Sequence, residues 1–535
     1  MPMKEKAVTT FATAVGVLLA AVVLFVSSLR GNAAGVTLIT HGLNGNVGGW
    51  ITGMATNMPN YAMFSGTNFT CYEMYVSNFN SSYYVTAARV AGNAPTNSET
   101  GEILVKLDWR LLAGGDTHNT FHVAGAVVPA FLSTNFIPEL GGHALAEFPM
   151  HLIGHSRGGS LVCELSRVLG TNGIWVDQIT TLDPHPLNDA AFPLDFFVGN
   201  AVDAPARTYE NVLFHDEYWQ DAAFGVTGLP VMGAYMRKLS VFSGGYSGVG
   251  HQHSDVHLWY HGTVDWRVPT SDTEAGLTSS ERNSWWTGYE RSGTNAGFNY
   301  TLIGGADRTS TDMPLGFGTS AVRDGYNQWW DLGAGVSNNR IALPANNGNW
   351  PNVIKLNRTS TNSVVQGQST PLKFYYQWAR PNTNIATLSL YLDADFNPLN
   401  TNQTLLCEMP VPGNNASSVS FATTNLLLAA TNAPAGTHAF LAKITAGGRT
   451  RFLYAPELVQ ILQVQLPPTL AITPLSAAQV RIVVNGSPGE TLVLEQSTDL
   501  ALWQPLATNT LVGSQWTYTN TVTATPARFF RAVRP

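Results

Sequence analysis

Short apolar runs that stop abruptly at polar or glycine residues recur through the first half of the chain. They are Val36–Thr40, Ile103–Leu107, Leu145–Ile153 and Val212–Phe214. Gln178–Leu182, which ends at Asp183-Pro184, is a further predicted strand. Runs of this length that do not alternate with polar residues predict strands buried on both faces of a sheet. Residues 160–169 instead place apolar side chains at helical spacing. Strands that alternate with helices predict an α/β domain with a parallel sheet, which we place at residues 35–345.

The pattern changes after about residue 350, where apolar and polar positions begin to alternate. Leu388–Leu392 and Thr437–Ile444 show this period of two, with turn residues between them. They predict a β-sandwich module over residues 350–464. A further group of such runs predicts a small C-terminal β module over residues 469–535: Val480–Val484, Thr491–Leu494 and Arg528–Arg531. The predicted fold class is therefore an α/β parallel-sheet domain followed by two all-β, sandwich-like modules.

The N-terminal segment has the pattern of a signal peptide over residues 1–34. Lys4 and Lys6 precede the apolar run Ala7–Val26, and the small residues Gly31–Ala34 are suited to cleavage. An uncleaved membrane anchor is the alternative, because the run is almost long enough to cross a bilayer. A core strand follows almost at once, which favours cleavage. We expect an exported protein, either secreted or at the cell surface or periplasm.

Composition narrows the partners and the redox chemistry. Hydrophobic residues make up 44% and charged residues 12%, which favours packed domains over disorder. The net charge is −7 and no basic run follows the first few residues, so we expect no nucleic-acid partner. The three cysteines (Cys71, Cys163 and Cys407) cannot form a full disulfide framework. Cys71 and Cys163 could pair, or Cys163 could be a buried free thiol.

The most informative stretch is the pentapeptide Gly154-His155-Ser156-Arg157-Gly158. It follows an apolar run and precedes the helical pattern, which is the strand, G-x-S-x-G, helix arrangement of the nucleophile elbow in α/β-hydrolases. The turn is tight enough to require residues with almost no side chain two places before and two places after the serine. The sequence therefore predicts an α/β-hydrolase domain with Ser156 as the nucleophile.

A serine nucleophile needs a base, and the base needs an acid that holds its tautomer. In this fold the acid follows a strand after the elbow. Asp183 does so, and Pro184 directly after it stops the strand. Asp216 also follows a predicted strand. We favour Asp183, with Asp216 as the alternative.

The base is expected in a loop after the last strand. The segment 250–262 offers four histidines: His251, His253, His257 and His261. A helix is predicted from about Val256, and His253 is the loop histidine nearest its start. We therefore choose His253 as the base, then His257 and then His251, with packing or helix capping as the role of the others. Only Asp255 accompanies them and no zinc-ligand spacing results, so no catalytic metal is predicted.

The tetrahedral intermediate needs two preorganised N–H donors for its oxyanion. One donor is expected to be the backbone N–H of Arg157, directly after the nucleophile. The other is expected from the loop after the first strand, His41-Gly42-Leu43. Gly42 allows close approach of the backbone, so the N–H of Leu43 is the predicted second donor.

At this point the chain resembles lipases of the pancreatic-lipase type. The motifs occur in the family's order over about residues 36–265: His41-Gly42-Leu43, Asp108-Trp109, the pentapeptide at 154–158, Leu182-Asp183-Pro184, and His253 followed by Trp259-Tyr260. The resemblance implies the triad Ser156, Asp183 and His253 and supports Asp183 over Asp216. Arg157 stands where leucine is usual, and the family's cysteine framework is missing. The reaction class therefore transfers better than triglyceride specificity or a colipase-like partner.

Two features lie outside the predicted hydrolase. Asp393, Asp395 and Asn397 are spaced like half of a calcium-binding loop, without its glycine or final glutamate. A bound calcium and an ordinary polar β-turn are both open for this segment. The two β modules carry no clustered Ser, His and Asp, and we expect them to attach the protein to a cell surface or a polymer.

Together these patterns predict a secreted serine ester hydrolase, a lipase or esterase, acting on an ester or lipid substrate without an organic cofactor. Other acyl chemistry on the same triad is the alternative: a polyester depolymerase, a peptidase or an acyltransferase. In a different class, the chain would be a non-catalytic surface adhesin whose β modules bind glycans.

Overall fold

The computed structural model describes most of the chain after the predicted signal peptide. The described residues are 35–60, 69–95, 102–190, 199–223, 225–228, 230–239, 242–264, 275–286, 298, 340–343, 350–358, 363–378, 385–395, 397–413, 420–429, 432–463, 467–521 and 527–535. The predicted signal peptide, residues 1–34, and most of the segment 299–349 lie outside them.

An eight-stranded sheet forms the first part of the molecule. Its strands are β1 (Val36–Thr40), β2 (Thr70–Phe79), β3 (Ser82–Gly92), β4 (Ile103–Asp108), β5 (Met150–His155), β6 (Val176–Leu182), β7 (Val212–Trp219) and β8 (Tyr235–Lys238). They are arranged in the order β3-β2-β4-β1-β5-β6-β7-β8. Every neighbouring pair is parallel except β2 and β3, which form an antiparallel hairpin. This confirms an α/β fold with a largely parallel sheet.

Helices accompany this sheet. They are α1 (Gly49–Asn57), α2 (Thr120–Leu132), α3 (Arg157–Thr171), α4 (His251–Val264) and α5 (Ser279–Trp286). Every residue of β1, β4, β5 and β6 is buried, as in strands that are covered on both faces. Helix α3 is buried without a break over its first ten residues, 157–166, which places it at the centre of the domain. Within the described residues, no helix has both the length and the apolar character to cross a membrane.

The element bounds differ from the sequence prediction in three places that matter for the site. The strand before the pentapeptide begins at Met150, and residues 145–147 form a short 3-10 turn. Strand β7 continues to Trp219 instead of stopping at Phe214. Helix α4 begins at His251, five residues before the predicted start. The apolar pattern locates cores well, but it does not report where backbone hydrogen bonding ends.

The strands that follow pair only in antiparallel fashion. They are β9 (Asn352–Arg358), β10 (Ser363–Val365), β11 (Ser369–Gln377), β12 (Ile385–Asp393), β13 (Thr404–Pro412), β14 (Ser420–Leu427), β15 (Gly436–Ala446) and β16 (Arg449–Leu462). They form a five-stranded sheet, β10-β16-β15-β12-β13, and a three-stranded sheet, β14-β11-β9. Side chains from both sheets, among them Phe374 and Leu390, fill one apolar core between them. This is the packing of a β-sandwich.

The last strands form a smaller antiparallel module. They are β17 (Thr469–Ser476), β18 (Gln479–Asn485), β19 (Thr491–Ser497), β20 (Gln504–Thr510), β21 (Gln515–Thr521) and β22 (Phe529–Val533). The two sheets have the orders β17-β18-β21 and β20-β19-β22. The module has its own small core, which includes Ile482, Val484, Leu492 and Leu494.

The chain divides into two compact units. The first contains the described residues up to 364 and 368–461, and the second contains 365–367 and 462–535. Within the first unit, the sandwich shares a buried core with the α/β domain, and Phe452 stacks on Phe148 with ring centroids 5.6 Å apart. Arg451 of the sandwich also makes a buried ion pair with Asp177, at 2.6 Å, near the start of β6. The sandwich is therefore packed against the end of β6 that lies opposite the strand's carboxyl end.

Candidate active site

Ser156 occupies a strained turn between β5 and α3. Its backbone has φ 58° and ψ −125°, a conformation that L residues rarely adopt and that costs about 1–3 kcal/mol. Its N–H donates to Leu182 O at 2.9 Å, which ties the turn to the end of the neighbouring strand β6. Strained residues of this kind persist where the surrounding structure fixes them, and they are concentrated at functional sites.

This turn can pack as it does only because residues 154 and 158 are glycines. A Cβ on Gly154 would lie 2.1 Å from the carbonyl oxygen of Gly158, and a Cβ on Gly158 would lie 2.5 Å from the carbonyl oxygen of His41. Both contacts are with backbone atoms, which a side-chain rotation cannot relieve. The requirement for glycine two places before and two places after the serine, predicted from the sequence, follows directly from this packing.

Asp183 and His253 meet beside this turn. The Nδ1 of His253 lies 2.5 Å from Oδ2 of Asp183, and the Asp183 side chain is completely buried. Asp183 directly follows β6, whereas His253 lies in the first turn of α4. Nδ1–H therefore donates to the carboxylate, and Nε2 of the neutral imidazole is left as an acceptor.

The Asp183 carboxylate is held by a second residue, Gln220. The backbone N–H of Gln220 donates to Oδ1 at 2.9 Å, and its side-chain Nε2 donates to Oδ2 at 2.6 Å. Burial raises the pKa of Asp183 to about 7, while both Gln220 donors act to lower it. Burial thus disfavours the charged carboxylate, and the two Gln220 donors favour it.

His253 is fixed by its backbone as well as by its ring. Nε2–H of His155 donates to the carbonyl oxygen of His253 at 2.9 Å, and the two rings lie 4.5 Å apart. Burial lowers the pKa of His253 to about 3, and the nearby charge of His185 acts in the same direction. The His253 imidazole is therefore neutral at neutral pH, which is the state that can accept a proton.

Ser156 belongs to the same cluster as His253. Its chain neighbour His155 contacts the His253 ring, and the carbonyl oxygen of Ser156 accepts a hydrogen bond from the N–H of His185 at 3.1 Å. The rings of His185 and His253 lie 6.3 Å apart. Among the hydrogen bonds of the described residues, none joins Ser156 Oγ to the His253 imidazole. In enzymes without substrate, catalytic hydrogen bonds of this kind are often long or poorly aligned.

The other three histidines of α4 have structural partners instead. His257 stacks on Trp50 with ring centroids 4.3 Å apart. His251 pairs with Asp255 four residues on, at 2.7 Å, and His261 hydrogen-bonds Asn57 at 2.9 Å. Of the four, His253 is the one that reaches Asp183, whereas His257 and His261 contact α1 and His251 pairs within α4.

Asp216, the alternative acid, lies inside β7 and not at its carboxyl end. Its Oδ1 accepts hydrogen bonds from Gln178 Nε2 at 2.9 Å and from Thr180 Oγ1 at 2.6 Å, and its Oδ2 accepts one from Tyr218 OH at 3.1 Å. Predicting the strand to end at Phe214 placed Asp216 at the sheet edge. The longer strand places it within the sheet instead.

The loop after β1 lies directly against the serine. A Cβ on Gly42 would lie 2.6 Å from Ser156 Cβ and 2.9 Å from its Oγ. The predicted donor Leu43 follows Gly42 in this loop, and the predicted donor Arg157 is the first residue of α3. The first N–H groups of a helix have no acceptor within the helix, so the Arg157 N–H is available to an incoming anion. The two predicted donors thus belong to backbone segments that meet at Ser156.

Sequence reasoning missed three residues of this site. Gln220 follows the true end of β7, and a correct strand boundary would have drawn attention to it. His155 stands in the pentapeptide itself, but its spacing does not reveal that it binds the His253 backbone. Asp203, which pairs with the Arg157 side chain at 2.7 Å, lies in an irregular segment that carries no recognisable signal.

The predicted calcium segment forms a series of polar turns. Asp393 Oδ1 accepts from the N–H of Asp395, Asp395 Oδ1 from the N–H of Asn397, and Asn397 Oδ1 from the N–H of Leu399, at 2.9–3.1 Å. In the described part of the chain, no three His, Cys, Asp or Glu side chains converge as metal ligands. In each of these turns a backbone N–H group donates to the side-chain oxygen of the residue two places before it.

The cysteines are free thiols. Cys71 and Cys163 are buried and not bonded to one another, and Cys407 is partly exposed. Burial raises the pKa of the Cys163 thiol to about 12, so it is an unreactive core residue. Of the two alternatives for Cys163, the structure has the buried free thiol.

Comparison with known proteins adds little to this geometry. No protein-family model matches the chain, and no curated protein matches it. The C-terminal domain of wzt matches with a TM-score of 0.17 and 9% identity over 22% of this chain and 75% of that chain. Red sea bream transglutaminase matches with a TM-score of 0.15 and 10% identity over 33% of this chain and 28% of that chain. A superoxide reductase (neelaredoxin) from Ignicoccus hospitalis matches with a TM-score of 0.13 and 15% identity over 21% of this chain and 80% of that chain. Likenesses this weak carry no argument about fold or function.

Proposed function

We propose that this protein is a secreted serine ester hydrolase with an α/β-hydrolase fold and the triad Ser156, His253 and Asp183. The observation that carries the proposal is the 2.5 Å hydrogen bond between His253 and Asp183, formed beside a serine in a strained strand-to-helix turn. The three residues are far apart in the chain. Their convergence at one edge of a parallel sheet, where ligands of such sheets bind, supports a shared chemical role.

Acylation begins when Ser156 Oγ attacks the ester carbonyl carbon. His253 Nε2 takes the hydroxyl proton as the C–O bond to Ser156 forms. The carbonyl electron pair moves onto the oxygen, which the N–H groups of Leu43 and Arg157 stabilise at about 3 kcal/mol each. The bond to the leaving alcohol then breaks, and His253 returns the proton to that alcohol.

Deacylation repeats these steps with water in place of the serine hydroxyl. Water loses a proton to His253 as it attacks the acyl carbon, and Ser156 recovers the proton when it leaves. Asp183 holds the Nδ1–H tautomer throughout and stabilises the imidazolium that forms in each half-reaction. His155 keeps the His253 backbone in place through its 2.9 Å hydrogen bond.

The substrate class proposed is a carboxylic ester with an apolar acyl part, such as a lipid or a polyester. The β-sandwich and the C-terminal β module would attach the exported protein to a cell surface or a polymer. A calcium ion at Asp393, Asp395 and Asn397 is a further part of the proposal, since carboxylate and amide oxygens are the ligands that calcium takes. Peptidase, depolymerase and acyltransferase activities on the same triad are the rivals among enzymes, and a glycan-binding adhesin is the rival outside them.

The test is pre-steady-state hydrolysis of p-nitrophenyl esters by the purified protein. We expect a burst of p-nitrophenol, stable labelling by a fluorophosphonate, and loss of both in Ser156→Ala. Ser160→Ala is a matched control, because this buried serine on α3 already bonds Thr120 and the carbonyl oxygen of Ala204. It should retain activity.

The outcomes separate the candidate functions. Full activity in Ser156→Ala would end the assignment of the nucleophile. Absence of both ester hydrolysis and labelling in the wild-type protein would favour the adhesin. If the wild-type protein is active, a panel of short and long acyl esters, emulsified triglyceride, an insoluble polyester and a peptide substrate distinguishes the enzyme classes.

A further inference from the structure

The side chain of Arg157, the residue directly after the nucleophile, is completely buried in an ion pair. Its Nε lies 2.7 Å from Asp203 Oδ2 and its Nη2 lies 2.8 Å from Asp203 Oδ1, so the contact is bidentate. Both side chains have zero solvent exposure. The guanidinium also donates to the carbonyl oxygens of Leu112 and His118. Its position is thus fixed from several directions.

The guanidinium of Arg157 lies at one end of a stack of three side chains, Arg157, Trp109 and His41, which ends in the loop on the other side of Ser156. Its central carbon lies 5.0 Å from the centroid of the Trp109 ring, and the rings of Trp109 and His41 stack at 5.5 Å with 14° between their planes. Trp109 Nε1 donates to the carbonyl oxygen of His41 at 3.1 Å. The stack therefore links the Ser156 turn to the loop His41–Leu43, and each carries one of the predicted oxyanion donors.

Asp203 connects this stack to two further segments. Its Oδ1 accepts the N–H of Thr120 at the start of α2, and its Oδ2 accepts the N–H of Leu187 in the loop after β6, both at 3.0 Å. A buried ion pair is weak evidence for stability, because desolvation of the two charges offsets most of their attraction. Its placement beside the serine turn points to a role in geometry.

We propose that Asp203 and Arg157 are positioning residues for transition-state stabilisation. Acting through the stack with Trp109 and His41, they hold the two backbone arms of the oxyanion hole at a fixed separation. The inference rests on the proposed ester-hydrolase function. Oxyanion donors are effective only when they lie about 2.7–3.1 Å from the place where the charge develops, so a small relaxation of either arm lowers the rate of the chemical step.

The test compares Asp203→Asn with Asp177→Asn. Asp177 also makes a buried pair with an arginine, Arg451, at 2.6 Å, but near the start of β6 and away from the serine. Each variant leaves one buried arginine without its carboxylate, so the two should lose comparable stability. Active sites are counted by fluorophosphonate titration, so that every rate refers to folded protein.

In Asp203→Asn we expect kcat to fall by roughly 10- to 100-fold, which is less than the roughly 100- to 1000-fold lost with a whole oxyanion donor. KM should stay nearly unchanged. Affinity for phenylboronic acid, whose tetrahedral serine adduct places an oxygen in the oxyanion hole, should fall in parallel with kcat. Asp177→Asn should keep wild-type kcat and phenylboronic acid affinity per titrated site.

An unchanged kcat in Asp203→Asn, or an equal loss in Asp177→Asn, would overturn the positioning role while leaving the hydrolase intact. If Asp203→Asn yields no titratable sites, Trp109→Phe decides by the same criteria, because it keeps an aromatic ring but removes the donor to His41. A wild-type protein that neither titrates nor hydrolyses esters would remove the proposed function and this inference together.

Discussion

Asp183→Asn tests which carboxylate orients the base. The backbone N–H of Gln220 donates to Asp183 Oδ1, so an asparagine must place its oxygen there. Its amide nitrogen then faces His253 Nδ1 and the Gln220 side-chain nitrogen, where Asp183 Oδ2 had accepted both. To avoid donor facing donor, His253 must adopt the tautomer that carries its proton on Nε2.

That tautomer cannot accept the serine proton, which sets the size of the effect. Holding the histidine in the wrong tautomer in this way costs a serine hydrolase about 10⁴-fold in kcat, or about 5 kcal/mol of barrier. The shape of the side chain is unchanged, so we expect the protein to fold. The loss should appear in kcat, with KM little affected.

The assay is steady-state hydrolysis of a short p-nitrophenyl ester by Asp183→Asn and by the matched variant Asp216→Asn. Asp216 is also fully buried and accepts three side-chain hydrogen bonds inside the sheet. Asp216→Asn should therefore lose about 1–3 kcal/mol of stability but little activity per folded site. If Asp183→Asn retains a substantial share of activity while Asp216→Asn loses it, the acid is Asp216 and the reasoning from the hydrogen bonds is wrong.

Three further predictions follow from individual contacts. The Gln220 side chain donates to Asp183 and lowers its pKa, so Gln220→Leu should raise that pKa above its present value of about 7. The acid limb of the kcat/KM profile should then move to higher pH, and a limb that stays or moves to lower pH would contradict this. Gly154→Ala should lower the free energy of unfolding, measured with urea, by about 3 kcal/mol, because its Cβ would lie 2.1 Å from a backbone oxygen. Gly125→Ala on α2 is the control: its Cβ would meet no atom within 4 Å, so this variant should be neutral or stabilising. Arg451→Met should lower the free energy of unfolding by about 3–5 kcal/mol, because the buried carboxylate of Asp177 loses its arginine partner. A loss below about 1 kcal/mol would show that water reaches this carboxylate at the interface with the sandwich.

The parts of the site that the sequence predicted are those set by local sterics. The pentapeptide around Ser156 predicts its own turn, because glycine two places to either side is the residue type that fits there. Asp183 is predicted because a strand ends directly before it. The sequence left His253, His257 and His251 as candidates for the base, because four histidines lie within a few turns of one another and the predicted helix start was five residues late.

The fold shows the same division. Apolar runs predicted β1 and β4 closely, because strands buried on both faces consist mainly of apolar residues. The hairpin of β2 and β3 was missed, since β3 is largely exposed and has no apolar run to mark it. Strand β7 was predicted too short, because its buried polar residues, such as Asp216 and Glu217, break the apolar pattern while continuing the backbone ladder.

The sequence by itself predicted the tight turn around Ser156 and the position of Asp183 at the end of a strand, because both depend on a few consecutive residues. The tertiary structure decided which histidine meets which carboxylate. Asp183 and His253 are 70 positions apart, and their contact depends on strand order and on where α4 begins. The supporting residues Gln220, His155 and Asp203 come from three different segments, and a buried polar atom finds its partner through the packing of the whole domain.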